Sequence, residues 1–222
     1  MIRPVEPKDI DDLLTRSRAL CGLRLGELAR RLNILPPPST IRGKGWTGQL
    51  LERALGAQAG SASQPDFSHL SVELKTLPIA ADGLPKESTY VCIAPLLPGP
   101  EARFETSCVA RKLSRVLWFP VEAGPTVLTD RRLGRAVLWT PSSGQWQRIR
   151  TDFDELVELI MTGGVEHITA HIGEVMQIRP KAANAAARAK ALGPNGAPIL
   201  TNPRGFYLRP GFTAEIVGAR VR

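Results

Sequence analysis

Apolar positions along the chain change period several times, and each change marks an element. Over residues 9–32, Leu13, Leu14, Leu20, Leu25, Leu28 and Leu32 fall near helical spacing. That predicts one helix followed by another, with Asp9 able to cap the first and Gly22 breaking between them. The run Pro36-Pro37-Pro38 stops this unit as a stiff extended connector, because proline has no N–H to give a helix. Residues 39–45 read as a polar loop carrying Arg42 and Lys44, residues 46–55 as a short helix ended by Gly56, and residues 57–65 as a further loop. Alternation then takes over: Leu70, Val72 and Leu74 against Ser71, Glu73 and Lys75 predict a half-buried strand over 69–77. Further strands are expected over 90–96 and 116–121, with a weaker one over 136–140. An amphipathic helix over 152–161 is closed by Gly163 and Gly164. A strand over 172–178, a helix over 182–192 and a short extended piece over 205–208 complete the pattern. Helices flanking a mixed sheet, with no internal repeat, define a mixed α/β class.

A chain of 222 residues with 43% apolar content is long enough for one domain, or two closely associated lobes, around a real core. Its 29 Lys and Arg against 21 Asp and Glu leave a charge of +8. That excess favours a polyanionic partner, since neutralising phosphates releases condensed counterions. Charge alone leaves membranes and acidic proteins open as well. No segment approaches the ~20 apolar residues a bilayer span needs, and residues 1–12 are too charged for a signal peptide, so a cytoplasmic protein is expected. Cys21, Cys92 and Cys108, odd in number and far apart in the sequence, read as buried free thiols in a reducing compartment. His167 and His171 have i, i+4 spacing but lack the further ligands of a zinc set, so they read as surface residues.

The chemistry is concentrated in Asp66, six intervening residues, and Glu73-Leu74-Lys75. Side chains alternate along a strand, so Glu73 and Lys75 share one face while Val72 and Leu74 point to the core. Asp66, just ahead of the strand, can fold back onto the polar face. Two carboxylates beside an ammonium suit phosphodiester hydrolysis. Mg²⁺ takes one or two carboxylates plus water and phosphate oxygens, offsets the charge developing in the reaction, and lowers the pKa of a bound water. Lys75 could position that water, accept its proton or stabilise the transition state; the residues alone do not choose. An acid-x-Lys triplet also arises by chance about once per 150 residues, and an ordinary Glu–Lys pair on a solvated strand face would look the same. Glu52, beside the apolar stripe of the 46–55 helix, is either an acid edging into the same site or a surface partner of arginine.

Longer motifs separate these readings. Lys44-Gly45-Trp46-x-Gly48-x-Leu50-Leu51-Glu52, Asp66-Phe67, Val72-Glu73-Leu74-Lys75-Thr76 and Val91-Cys92-x-Ala94-Pro95-Leu96 strongly resemble the MutH family of mismatch-repair endonucleases. The likeness continues through Arg115-Val116-Leu117-Trp118, Gln177-Ile178-Arg179-Pro180-Lys181-Ala182-Ala183-Asn184 and Pro203-Arg204-Gly205-Phe206-Tyr207-Leu208, spanning residues 40–213. It implies a restriction-endonuclease-like fold with two lobes around a DNA-binding cleft: a catalytic lobe over residues 1–110 and a recognition lobe over residues 111–222. It also implies a Mg²⁺ site built on Asp66 and Glu73 with Lys75, Glu52 as an additional metal-associated acid, and Lys112 near the scissile phosphate. The family nicks the unmethylated strand 5′ to the G of hemimethylated GATC, with the ATPase MutL as activator and MutS acting indirectly; a monomer is implied.

By the same resemblance Arg179 and Lys181 read bases, Tyr207 senses adenine methylation, and Arg204 and Lys44 contact DNA. Charge agrees, because residues 175–214 hold six basic side chains and no acid. Arg or Lys reads guanine O6 and N7 in the major groove, where the adenine N6 group is also exposed. Arg188, Lys190 and Arg209 are expected to meet phosphate without reading sequence. The first forty residues match only loosely, which leaves the surface for the activator undefined. Two alternatives remain: a stand-alone GATC restriction enzyme cutting both strands, disfavoured by the short, repeat-free chain, and a DNA-binding relative without catalysis.

Overall fold

Six α-helices and eight strands form among the described residues of the computed structural model, which are 5–38, 45–58, 64–181 and 186–218. They group into two units, residues 1–87 with 114–140 and 214–222, and residues 88–113 with 141–213. Lys44 and most of both polar loops expected near it lie outside the described residues.

The first unit is built from α1 (Ile10–Leu20), α2 (Leu25–Arg31), α3 (Trp46–Leu55), β1 (Glu73–Ile79), β3 (Val116–Glu122) and β4 (Val137–Trp139). β3 is the middle strand, parallel to β1 and antiparallel to β4. It is buried from Val116 to Val121, which explains its near-continuous apolar run. Leu13, Leu25, Leu28, Leu50 and Leu51 from the helices pack on Val72, Leu74, Leu117 and Phe119. Asp9 caps α1, accepting the Asp12 N–H at 2.8 Å, and α2 follows the break at Gly22, as the pattern predicts. Gly56 ends α3 with φ +85°, a left-handed conformation costly for any residue with a Cβ.

The second unit contains β2 (Thr89–Ile93), α4 (Cys108–Leu113), α5 (Ser143–Met161), β5 (Met176–Pro180), β6 (Ala189–Leu192), β7 (Pro198–Thr201) and β8 (Arg204–Leu208). β8 is the middle of an antiparallel sheet ordered β2-β8-β5, and β6 pairs with β7 as a separate hairpin. Phe153 of α5 joins an aromatic core, 5.4 Å from Phe104 and 5.3 Å from Phe206 between ring centroids. Buried Asp152 accepts the N–H groups of Glu174, Val175 and Met176 at 2.8, 2.7 and 2.7 Å. Arg209 holds the same segment by donating to the carbonyls of Gly173, Ala170 and Ile172 at 3.0, 2.8 and 3.1 Å. Together they fix where β5 begins. A last helix, α6, covers Pro210–Gly218 and was not anticipated by the sequence pattern.

Several expectations need correction. The strand expected over 69–77 starts at Glu73, because Ser68–Leu70 is a 3-10 turn and Ser71 has φ +53°. The strand expected over 172–178 starts at Met176, since the backbone donors before it are taken by Asp152. The 152–161 helix begins nine residues earlier, at Ser143, where Ser142 and Gln145 form a reciprocal capping box. The helix expected over 182–192 is instead, in its described part, a strand: Ala189–Leu192 pairs with Pro198–Thr201, and the turn between contains Gly196 at φ +73°. Alanine favours helix only weakly, and pairing across the hairpin overrides it. Arg209, expected on phosphate, is occupied with backbone carbonyls. Cys21 is exposed rather than buried, and Cys108 is half-buried.

Replacing Asp152 with Ala strands three N–H groups, two of them in the buried hydrogen bonds of Val175 and Met176. Denaturant unfolding should show a loss of about 3 kcal/mol, a buried unsatisfied polar group costing about 1–3 kcal/mol.

Candidate active site

Asp66 reaches the polar face of β1 because the chain reverses between it and β1. Phe67 and Val72 pair across the 3-10 turn, with Phe67 N–H on the Val72 carbonyl at 2.9 Å and the return bond at 3.2 Å. The Asp66 carboxylate then accepts the Leu74 N–H at 2.8 Å. Had the strand run extended through these eight residues, the separation would be on the order of 25 Å. Glu73 and Lys75 share the β1 face opposite Leu74, and Lys75 Nζ donates to Glu73 Oε1 at 2.7 Å. Asp66 is 5% exposed and Glu73 only 2%, against an average acid that lies in water.

Burial, the adjacent Glu73 carboxylate and, less strongly, Glu52 push the Asp66 carboxyl up to about 7, against the pull of the Leu74 N–H and of Lys75. Three acids therefore share one field, with a single lysine inside it. α3 positions Glu52, and Ala57 and Gly56 donate to the Glu52 carbonyl at 2.8 and 2.9 Å as the helix ends. The Gln58 N–H on the Asp66 carbonyl, at 3.4 Å, ties that exit to the turn before β1. Glu52 also lines a hollow of about 320 Å³ with Trp46, Gln49 and Arg53. A cavity of about 890 Å³ opens at the other end of β1 among Ile79, Pro120 and Leu133, and contains none of these acids. The donor chemistry, not cavity size, marks the site.

The donor set fits a hard divalent cation. Two buried carboxylates that repel each other offer oxygen ligands, while no compact group of three or more His, Cys, Asp and Glu exists among the described residues. A protein cage for Ca²⁺ or a zinc set is thereby disfavoured, whereas Mg²⁺ ordinarily takes one or two carboxylates and completes its shell with water and phosphate.

In the second unit, Arg179, Lys181 and Tyr207 come together around a residue that sequence reasoning missed, Tyr90. The two tyrosines, the chain's only ones, pair across β2 and β8 with centroids 5.4 Å apart. Lys181 Nζ lies 4.6 Å from the Tyr90 ring and Arg179 Cζ 5.9 Å from the Tyr207 ring. Gly205 makes room, since a Cβ there would meet Tyr90 Cε2 at 2.9 Å. Arg179 and Lys181 are exposed, and burial pushes the Tyr207 hydroxyl up. Arg204, expected on DNA, is 8% exposed and ion-paired with Glu166 at 3.5 Å. Lys112 lies on α4, half-buried, one turn from Cys108. The scarcity of tyrosine was the available signal for Tyr90.

An acid–acid–lysine strand site on a mixed α/β scaffold is the arrangement of restriction-endonuclease-like proteins. The chain belongs to the MutH family of DNA mismatch repair enzymes, whose family model, described as DNA mismatch repair enzyme MutH, matches residues 55–152. It is 50% identical over 214 residues to the DNA mismatch repair protein MutH of Haemophilus influenzae strain PittGG, covering 96% of each chain. With the protein of the same name from Shewanella amazonensis it shares 49% identity over 218 residues, 98% of this chain and 97% of the other.

Because the folded-state value of Asp66 is raised, its charge opposes folding. This cost is absent well below the ordinary 3.8, grows with pH, and is complete above about 7. In chelator, the unfolding free energy of the protein relative to Asp66→Asn should therefore fall on the order of 2–3 kcal/mol from pH 5 to pH 8.

Proposed function

We propose that this chain is a Mg²⁺-dependent endonuclease that nicks the unmethylated strand 5′ to the G of hemimethylated GATC. The observation that carries this reading is the convergence of Asp66, Glu73 and Lys75 at the start of β1, through the 2.8 Å and 2.7 Å contacts. Asp66 and Glu73 would hold the ion, which supplies charge neutralisation and an acidified water when bound. Lys75, held as a cation donor by Glu73, faces the reacting phosphate and offsets its growing charge. Glu52 tunes the field at Asp66, and Lys112 contacts the phosphate being cut.

Recognition belongs to the Tyr90–Tyr207 cluster. Arg179 and Lys181 project as guanine-reading cations, Tyr90 supporting the lysine and Tyr207 the arginine. An N6-methyl on adenine would crowd a ring at Tyr207, which gives strand choice a steric basis. Arg204 is paired with Glu166 at the start of β8, and it and Lys44 add further DNA contacts. The protein acts as a cytoplasmic monomer on duplex DNA and is activated by the ATPase MutL, with MutS acting upstream.

Strand-resolved cleavage of unmethylated, hemimethylated and fully methylated GATC duplexes with Mg²⁺ tests this, with and without MutL. The unmethylated strand alone should be nicked and fully methylated DNA should resist. Absence of nicking under both conditions, or concerted cutting of both strands, overturns the reading. Glu73→Ala should lower the rate by about 10³-fold or more, the scale of lost metal and electrostatic stabilisation, while a gel-shift assay shows DNA binding retained. Tyr207→Ala should narrow the rate difference between methylated and unmethylated strands.

A further inference from the structure

Two of the three cysteines, sixteen residues apart in sequence, meet in the fold. Cys92 is buried on β2, and Cys108 is half-buried at the start of α4, which packs against β2. Their thiols are hydrogen-bonded to each other. The Arg111 guanidinium also hydrogen-bonds the Cys108 sulfur, and Lys112 adds positive charge from the same helix. Glu101 holds this frame, accepting the Cys108 N–H at 2.6 Å and pairing with Arg111 at 2.5 Å. A partly accessible thiol beside a guanidinium, with a second thiol already in contact, is the arrangement of a thiol that oxidises and is resolved by its neighbour.

We propose that Cys108 and Cys92 form a peroxide-reactive dithiol, Cys108 as the attacking sulfur and Cys92 as the resolving one. The thiol contact with Cys92 and the nearby cations bring Cys108 from the ordinary 9.0 down to about 7, against the opposing effects of burial and Glu101. More of it is then thiolate at neutral pH than of an ordinary cysteine. The thiolate attacks one oxygen of a hydroperoxide, the O–O bond breaks, and the departing hydroxide takes a proton to become water. Cys92 sulfur then attacks the sulfenic sulfur of Cys108; the S–O bond breaks and the hydroxide leaves as water with the Cys92 proton. Two thiols lose two electrons in all, and one hydrogen peroxide becomes two waters. Closing the pair into a disulfide brings the two sulfurs to about 2 Å. The modification site lies one turn from Lys112 and stands whether or not the nuclease reading holds.

Hydrogen peroxide treatment of the full chain at pH 7, followed by acid quench, thiol blocking and peptide mass spectrometry, reads the product directly. The expected result is a Cys92–Cys108 linkage two hydrogens lighter, reversed by dithiothreitol. Its rate should exceed that of N-acetylcysteine by about fivefold, the larger thiolate fraction being partly offset by weaker nucleophilicity. With Cys92→Ser, dimedone should capture Cys108 as the sulfenic acid; with Cys108→Ser, Cys92 should stay reduced at the same dose. Absence of the linkage in the unsubstituted protein, its replacement by one through Cys21, or equal oxidation of Cys92 without Cys108 overturns the proposal. Because the linkage is read in the unsubstituted chain, a Ser variant that fails to fold does not decide the result.

Discussion

Two carboxylates held where water is scarce set the terms for the first unit. Asp66 and Glu73 repel one another inside a shell of apolar packing, and the Leu74 N–H and the Lys75 ammonium offset that repulsion. A protein that merely needed stability would have no use for this arrangement, because buried like charges cost free energy that the fold must supply elsewhere. The helices and the β1–β3 pair make that supply. Leucines from α1, α2 and α3 close on the reverse face of β1, so the polar face can remain strained without unravelling the strand.

The second unit meets a different requirement, presenting cations in a fixed geometry. Tyrosine rings under Lys181 and Arg179 limit the freedom of two long side chains, which lowers the entropy lost when they engage a ligand. Asp152 and Arg209 fix the segment that feeds β5, and Glu166 holds Arg204 at the start of β8. Basic residues that the sequence leaves equivalent are thereby divided into presenters and braces. The same unit also contains the dithiol on α4 and β2.

Elements defined by local physics were legible before the structure. α3 runs from Trp46 to Leu55 and stops at Gly56 as its stripe and its stop demanded, and the two helices either side of Gly22 followed from spacing and one cap. Glu73 and Lys75 on one face followed from strand alternation alone. What failed was set by contacts distant in sequence. The backbone of residues 68–71 turns because Phe67 and Val72 pair, and the alanine-rich stretch before Leu192 extends because Pro198–Thr201 lies beside it. Tyr90 and the thiol pair likewise emerge only when β2 is placed against β8 and α4. Charge in a sequence does not reveal that Arg204 is buried beside Glu166 or that Arg209 is bound to backbone carbonyls.

The central proposal is that Asp66 and Glu73 together hold a divalent cation. Carbon-13 NMR titration of the Asp66 carboxyl, without metal and with saturating Mg²⁺, tests it most directly. The account predicts an apparent pKa near 7 in chelator, lowered when Glu73 is replaced by Gln, and lowered strongly when Mg²⁺ is present. An Asp66 that titrates in the ordinary carboxylate range and ignores both changes would contradict it.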